Sequence, residues 1–111
     1  MADLLRRTGH ETKVGRKGRD GGIDVMAWRD GEFGPELTLV QCKRYTEEKV
    51  GEPIVKQLYA DVGLRNATRG LLVTTSSFSS DALQFIEACK YRLFGKNLDE
   101  VRVWMRKVFS L

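Results

Sequence analysis

Three polar side chains on two strand-like runs are the residues of this chain best suited to chemistry. Asp24 lies in one run, and Gln41 and Lys43 lie in the next. Because side chains alternate faces along a strand, Gln41 and Lys43 should point the same way, with Cys42 in the opposite layer. If the runs pair with Asp24 opposite, a carboxylate, an amide carbonyl and an ammonium meet at one point.

Such a group suits the hydrolysis of phosphodiester bonds with a magnesium ion. Magnesium prefers oxygen ligands and keeps several waters, so one carboxylate, a carbonyl and a substrate phosphate suffice to hold it. Asp24 is the predicted carboxylate, supported by the Gln41 side chain and the Cys42 backbone carbonyl. Lys43 would orient or deprotonate the nucleophile or stabilise developing charge, and the sequence leaves these roles open. The spacing alone is weak and favours ordinary structural roles for all of them.

The elements that must position these residues predict an α/β domain. A helix is expected to end within residues 2–8, and strands are expected at 10–17, 23–29 and 37–44, joined by a glycine-rich turn at 18–22 and a return loop at 29–35. Pro53 should open a crossover helix that Gly63 and Asn66 end, since proline costs nothing in a first helical turn. The apolar run 70–75 predicts a central strand parallel to its predecessor, so residues 37–75 form a βαβ unit.

The last third of the chain predicts two more helices. Ser79 or Ser80 should cap the first of them, and residues 91–94 form a possible short strand. Asn97 and Glu100 have the spacing of a capping box at the start of the last helix. The residues expected to point inward from that helix are Leu98, Val101, Met105 and Val108. The alternation of residues 101–105 leaves a strand open as an alternative.

Composition indicates one soluble, globular domain. The chain has 111 residues, of which 41% are hydrophobic and 31% charged. This length supports one hydrophobic core and not two. No apolar run reaches membrane-spanning length, and the N-terminus lacks the apolar core of a secretory signal, so a cytoplasmic location without a membrane partner is expected.

The charge balance favours a polyanionic partner. Nineteen Lys and Arg face fifteen Asp and Glu, which gives a net charge of +4 and a pI near 9.3. Basic residues crowd the first twenty positions, and the candidate phosphate contacts are Arg16, Lys17, Arg19 and Arg44. A solvated basic face is the alternative reading of so modest a net charge.

The cysteines and the single histidine exclude several enzyme classes. Cys42 and Cys89 are isolated, and His10 is the only histidine, so neither a zinc cluster nor a Ser-His or Cys-His nucleophile can be assembled convincingly. Both cysteines are expected in the core. His10 is expected on the surface.

Three segments carry a resemblance to a known family. They are Gly18–Val25, Val40–Tyr45 and Gly70–Ser76, with Phe78 and Ser79 after the last. In their order and spacing the chain resembles the Mrr-like restriction endonucleases of the PD-(D/E)xK nuclease superfamily, in the variant with glutamine in place of the acidic residue. Asp24, Gln41 and Lys43 match the catalytic positions of that family.

The resemblance implies a magnesium-dependent endonuclease acting on DNA, with manganese as a substitute metal. It also implies a mixed central sheet of four to five strands flanked by helices. A homodimer, or a separate DNA-recognition domain or subunit, is the expected further partner.

The N-terminus departs from the family pattern. Members carry a glutamate that helps to hold metal on a helix before the segment that starts at Leu4, so the single domain 1–111 is expected to lack part of that helix. Asp3 lies too near Gly9 to take this role. Two alternatives therefore stay open: a nuclease-fold resolvase or repair enzyme that reads DNA structure, and a catalytically silent DNA-binding or assembly module.

Overall fold

The computed structural model describes residues 1–15 and 22–110 of the chain. In chain order the elements are α1 (Ala2–Arg7), β1 (Glu11–Val14), β2 (Val25–Gly31), β3 (Gly34–Lys43), α2 (Glu52–Leu64), β4 (Arg69–Thr74), α3 (Ser80–Ala88), β5 (Leu93–Lys96) and α4 (Leu98–Phe109).

The described strands form one mixed sheet in the order β1-β2-β3-β4-β5. The first three strands are antiparallel, whereas β3, β4 and β5 run parallel to one another. The mixed sheet flanked by helices, and the β3-α2-β4 crossover within it, are confirmed.

Alternation along the strands divides the apolar core into two layers. Leu39 and Leu72 face the side covered by α2 and α3, where Leu58 is fully buried. Val40 faces the opposite side together with Leu5 of α1. Because β3 and β4 have cores on both faces, their apolar runs are nearly continuous.

The β2-β3 hairpin is tighter than predicted. The sequence predicts a return loop over 29–35, but the strands continue to Gly31 and resume at Gly34, so only Glu32 and Phe33 form the turn. Gly34 has a φ of +123°, a conformation that glycine tolerates. Strand β1 is also shorter than the predicted 10–17. Residues 16 and 17 and most of the glycine-rich turn at 18–22 lie outside the described residues.

The last element is a helix, so the strand alternative for residues 101–105 is wrong. The capping box is present: Glu100 N donates to Asn97 Oδ1 at 2.9 Å, and Asn97 N donates to Glu100 Oε1 at 3.1 Å. The inward placement of Met105 is wrong, because its side chain is 39% exposed while Trp104 packs on the sheet instead. Within residues 1–15 and 22–110, no helix has both the length and the apolarity to cross a membrane.

Candidate active site

Asp24 is held at the point where β2 begins. Its backbone N–H donates to Val40 O at 2.8 Å, and its backbone carbonyl accepts from Gly15 N at 2.7 Å. Its carboxylate Oδ2 accepts from the backbone N–H of Cys42 at 2.6 Å. Asp24 thus bonds to Val40 and to Cys42, the two residues on either side of Gln41. It therefore lies opposite Gln41 along β3.

The Asp24 carboxylate ends the ladder between β2 and β3. The last paired residues are Val25 and Val40. Beyond them, the Cys42 N–H donates its hydrogen bond to the side-chain Oδ2 of Asp24 and not to a backbone carbonyl. In a strand the N–H and C=O of one residue point toward the same neighbour. The Cys42 carbonyl therefore faces the side on which Asp24 lies, so a carboxylate and a carbonyl border the gap between the separating strands.

Gln41 lies beneath the segment that leads into Asp24. Its side chain is only 6% exposed. Gly22 has a φ of +86°, and a Cβ on it would lie 2.9 Å from Gln41 Nε2. The positive φ favours glycine at position 22, and a Cβ there would make the end of the Gln41 side chain shift. The sequence predicts Gly22 in a turn and carries no signal for its close approach to Gln41.

Lys43 ends β3 on the same face of the sheet as Gln41. It pairs in register with Thr74, and its carbonyl accepts from Thr75 N at 3.1 Å. Thr75 Oγ1 also donates to the Tyr45 carbonyl at 2.9 Å. These bonds fix the backbone on both sides of Lys43, and its side chain is half-buried.

A cavity of about 570 Å³, here the Asp24 cavity, opens beside the carboxylate. Its lining includes Asp24, Cys42, the exposed Arg44 and, from the start of α1, Met1 and Ala2. Gln41 and Lys43 are not part of this lining, so the structure brings Asp24, Cys42 and Arg44 together there.

Of the other predicted DNA contacts, Arg16, Lys17 and Arg19 lie outside the described residues.

The surroundings of Cys42 disfavour its thiolate form. Burial raises the pKa of its thiol, and the negative charge of Asp24 raises it further. Its side chain packs on the Leu5 and Val40 side of the sheet, and Cys89 packs against the other core layer. Both cysteines were expected in the core, and both are partly buried side chains at its edge.

The donors at this site fit a hard cation held mainly by oxygen. Within residues 1–15 and 22–110, no three His, Cys, Asp or Glu side chains cluster closely enough to bind a metal. The oxygen donors near the gap are the Asp24 carboxylate and the Cys42 carbonyl, a set that suits magnesium because this ion keeps several waters. Asp3 pairs with Arg6 at 2.9 Å.

The chain is similar in sequence to restriction endonucleases. A model of the family Mrr_cat, described as restriction endonuclease, matches residues 1–104. The Type IV methyl-directed restriction enzyme EcoKMrr of Escherichia coli (strain K12) is 36% identical over 94 residues, which cover 79% of this chain and 30% of that enzyme. The chain thus spans less than a third of the length of this relative.

Solved structures support the same grouping. The MspJI restriction endonuclease, solved in complex with a 27-mer oligonucleotide, superposes with a TM-score of 0.71 at 27% identity, over 95% of this chain and 25% of that one. The DNA modification-dependent restriction endonuclease AspBHI superposes with a TM-score of 0.74 over 97% of this chain and 30% of that one. At 20% identity, AspBHI is similar in fold alone.

Proposed function

Because this chain belongs to the Mrr_cat restriction endonuclease family, we propose that it hydrolyses DNA phosphodiester bonds with a divalent metal ion at Asp24. The observation that carries the proposal is the 2.6 Å bond from the Cys42 amide to the Asp24 carboxylate. It fixes one carboxylate oxygen at the gap between β2 and β3, beside the Cys42 carbonyl. A hydrolytic metal site needs such a pre-positioned oxygen pair next to open space for substrate.

We assign magnesium as the metal, with manganese as its substitute. Asp24 and the Cys42 carbonyl would bind the ion, and the Gln41 amide would support them from beneath Gly22. When bound, the cation supplies Lewis-acid polarisation of the scissile phosphate and an acidified water.

Lys43 and Arg44 supply the positive charge of the proposed site. Lys43 orients the attacking water or stabilises charge on the phosphate, and the fixed end of β3 holds its backbone for that purpose. Arg44 is exposed at the Asp24 cavity, where its guanidinium would contact a DNA phosphate. In sequence, Arg16, Lys17 and Arg19 lead toward Asp24 and are proposed as further phosphate contacts.

DNA is the proposed substrate, in keeping with the oligonucleotide bound by the MspJI structure. For the choice of DNA sequence we propose a second copy of the chain, or a separate recognition domain or subunit, as the resemblance implies. The catalytic domain itself would then bind DNA through phosphates and read no sequence.

Conversion of a supercoiled plasmid to nicked and linear forms tests the proposal. We expect cleavage with magnesium or manganese and none in excess chelator. Chelator-resistant cleavage would contradict a metal site at Asp24. DNA binding without cleavage in either metal would instead support a silent DNA-binding module.

Substrate shape separates a restriction-type enzyme from a resolvase. We expect linear duplex and four-way-branched DNA of equal length to be cut at similar rates. A strong preference for the branched substrate would support a resolvase or repair function.

A further inference from the structure

A second cavity lies on the sheet face that also carries α1, and it shares no lining residue with the Asp24 cavity. Its volume is about 280 Å³. Thr38 lines it, and Thr38 lies four residues before Cys42 on β3, which places the two cavities roughly 13 Å apart along the strand. We call it the Arg69 cavity.

Three cations surround the Arg69 cavity: Arg29, Arg69 and Lys96. Arg69 Nη2 is 3.2 Å from Glu36 Oε1, and the same carboxylate oxygen is 4.0 Å from Arg29. Lys96 forms no ion pair within the described residues. Its ammonium lies over the Trp104 ring, 5.5 Å from the ring centre. The lining of the cavity thus holds three cations and no carboxylate, and only two of the cations share Glu36, so the cavity keeps a positive surplus that suits an anion.

The guanidinium of Arg69 is oriented before any ligand arrives. Its Nη1 donates to Thr38 Oγ1 at 3.1 Å and its Nη2 donates to Glu36 Oε1 at 3.2 Å. The side chain is 25% exposed, so it remains open toward the cavity. A guanidinium held in this way presents its remaining N–H groups to a phosphate at little further entropic cost.

The floor of the cavity is apolar and includes an exposed aromatic ring. Leu5 and Leu71 are nearly fully buried, whereas Phe94 is 42% exposed. Phe94 lies on β5 opposite Leu71, two residues before Lys96. An open ring beside a group of cations is the arrangement with which proteins stack unpaired bases and hold their phosphates.

We propose that the Arg69 cavity binds one unpaired nucleotide, with its base against Phe94 and its phosphate at Arg29, Arg69 and Lys96. The nucleotide could be free or part of a single strand, and both sources offer the same chemistry. This site is separate from the proposed cleavage at Asp24, and its occupancy requires no metal.

His10 provides a reporter for the site, because it is the only histidine of the chain and it lines the cavity. The sequence predicts a surface position for His10, but the side chain is half-buried, with Nδ1 3.2 Å from Leu5 O and 3.0 Å from Thr8 Oγ1. Burial lowers the pKa of His10, and the positive charges of Arg29 and Arg69 lower it further. The hydrogen bond with the Leu5 carbonyl acts in the opposite direction and raises the pKa. An anion bound at these arginines favours the imidazolium and should raise the pKa.

The experiment is an NMR titration of the His10 ring in the full chain, in excess chelator so that cleavage does not intervene. The ligands are dAMP, a short single-stranded oligodeoxynucleotide, the same strand without bases, and inorganic phosphate. We expect dAMP or the intact strand to shift the His10 resonance and raise its pKa by on the order of one unit. Whichever of the two binds identifies the source of the nucleotide.

Two variants test the assigned contacts. Phe94→Leu should weaken binding of the base-containing ligand about tenfold, whereas Phe33→Leu, at the exposed hairpin turn, should not. Arg29→Gln should weaken binding of every phosphate-containing ligand, whereas Arg102→Gln, on the exposed face of α4, should not.

Three results would overturn the proposal. They are an unmoved His10 resonance at millimolar ligand, equal affinity for the intact and base-free strands, and full binding by Phe94→Leu. None of these three results requires a measurement of cleavage. The test of nucleotide binding is therefore independent of the nuclease assignment.

Discussion

The carboxylate of Asp24 accepts a 2.6 Å hydrogen bond from the backbone amide of Cys42, where a regular sheet would place a carbonyl. The paired residues of β2 and β3 end at Val25 and Val40, and the bond holds a carboxylate in a defined orientation just beyond them. It also sets Asp24 opposite Gln41, as the proposed site requires.

The effect of the close approach of Gly22 to Gln41 can be separated from the effect of backbone strain by comparing two alanine variants. Gly22→Ala and Gly9→Ala both force alanine into positive φ, at +86° and +89°, but a Cβ at Gly9 meets nothing within 4 Å. Strain alone should cost each variant roughly 1–2 kcal/mol of unfolding free energy. Gly22→Ala must also displace the buried Gln41 amide, so only this variant should lose cleavage beyond its loss of stability. Chemical denaturation and plasmid nicking of both variants provide the comparison, and equal activities would contradict a role for the contact.

Gln41→Glu tests whether the buried amide is next to the metal. The variant places a carboxylate where the side chain is 6% exposed, so without metal it should lose on the order of 1–3 kcal/mol of unfolding free energy. Magnesium should restore much of that loss by pairing with the new charge. The measurement is the thermal midpoint with magnesium and with chelator, and Gln57→Glu on the exposed face of α2 is the control. A loss that magnesium leaves unchanged would place Gln41 outside the metal site.

Arg44 should contribute to the salt dependence of DNA binding. Each phosphate contact on duplex DNA adds about 0.9 to the negative slope of log affinity against log salt. Arg44→Gln should therefore flatten the slope by roughly that amount for any sequence, because phosphate contacts read no bases. Arg102→Gln, on the exposed face of α4, should leave it unchanged. An unaltered slope for Arg44→Gln would show that Arg44 contacts no DNA phosphate, and would contradict a DNA path along the Asp24 cavity.

Lys43→Ala should abolish metal-dependent cleavage and leave the protein folded. Removal of a group that supports charge in a transition state costs on the order of a hundredfold or more in rate. Lys90→Ala removes an exposed lysine whose Glu87 partner is 3.6 Å away and should cleave normally. Cleavage rates under single-turnover conditions, with circular dichroism as the folding check, decide the result. A fully active Lys43→Ala variant would contradict the assignment of Lys43 to the cleavage site.

The parts of the fold that local patterns determine were predictable from the sequence. The apolar run at β4, the proline in the first turn of α2 and the capping box of α4 each specify their element through short-range sterics or hydrogen bonds. The orientation of α4 was not predictable from periodicity alone. Its one apolar stripe could turn either Met105 or Trp104 inward, and packing on the sheet selects Trp104.

The sequence specifies which residues to propose for the candidate site, but not how they contact one another. Alternation predicts that Gln41 and Lys43 share a face, and the resemblance adds Asp24 to them. The bond from Cys42 to the Asp24 carboxylate depends on where the ladder between β2 and β3 ends, and the approach of Gly22 to Gln41 depends on how a loop folds over the sheet. Both are long-range contacts with no periodic signal in the sequence.

Plasmid nicking by Asp24→Asn tests the central claim most directly. Asparagine keeps an oxygen that can accept from the Cys42 amide but loses the charge that would bind the metal, so the fold should persist while cleavage falls on the order of a hundredfold or more. Asp30→Asn, an exposed residue of β2, is the matched control and should cleave at the parental rate. A folded Asp24→Asn that nicks plasmid in magnesium as fast as the parent would contradict the assignment of Asp24 as the metal-binding carboxylate.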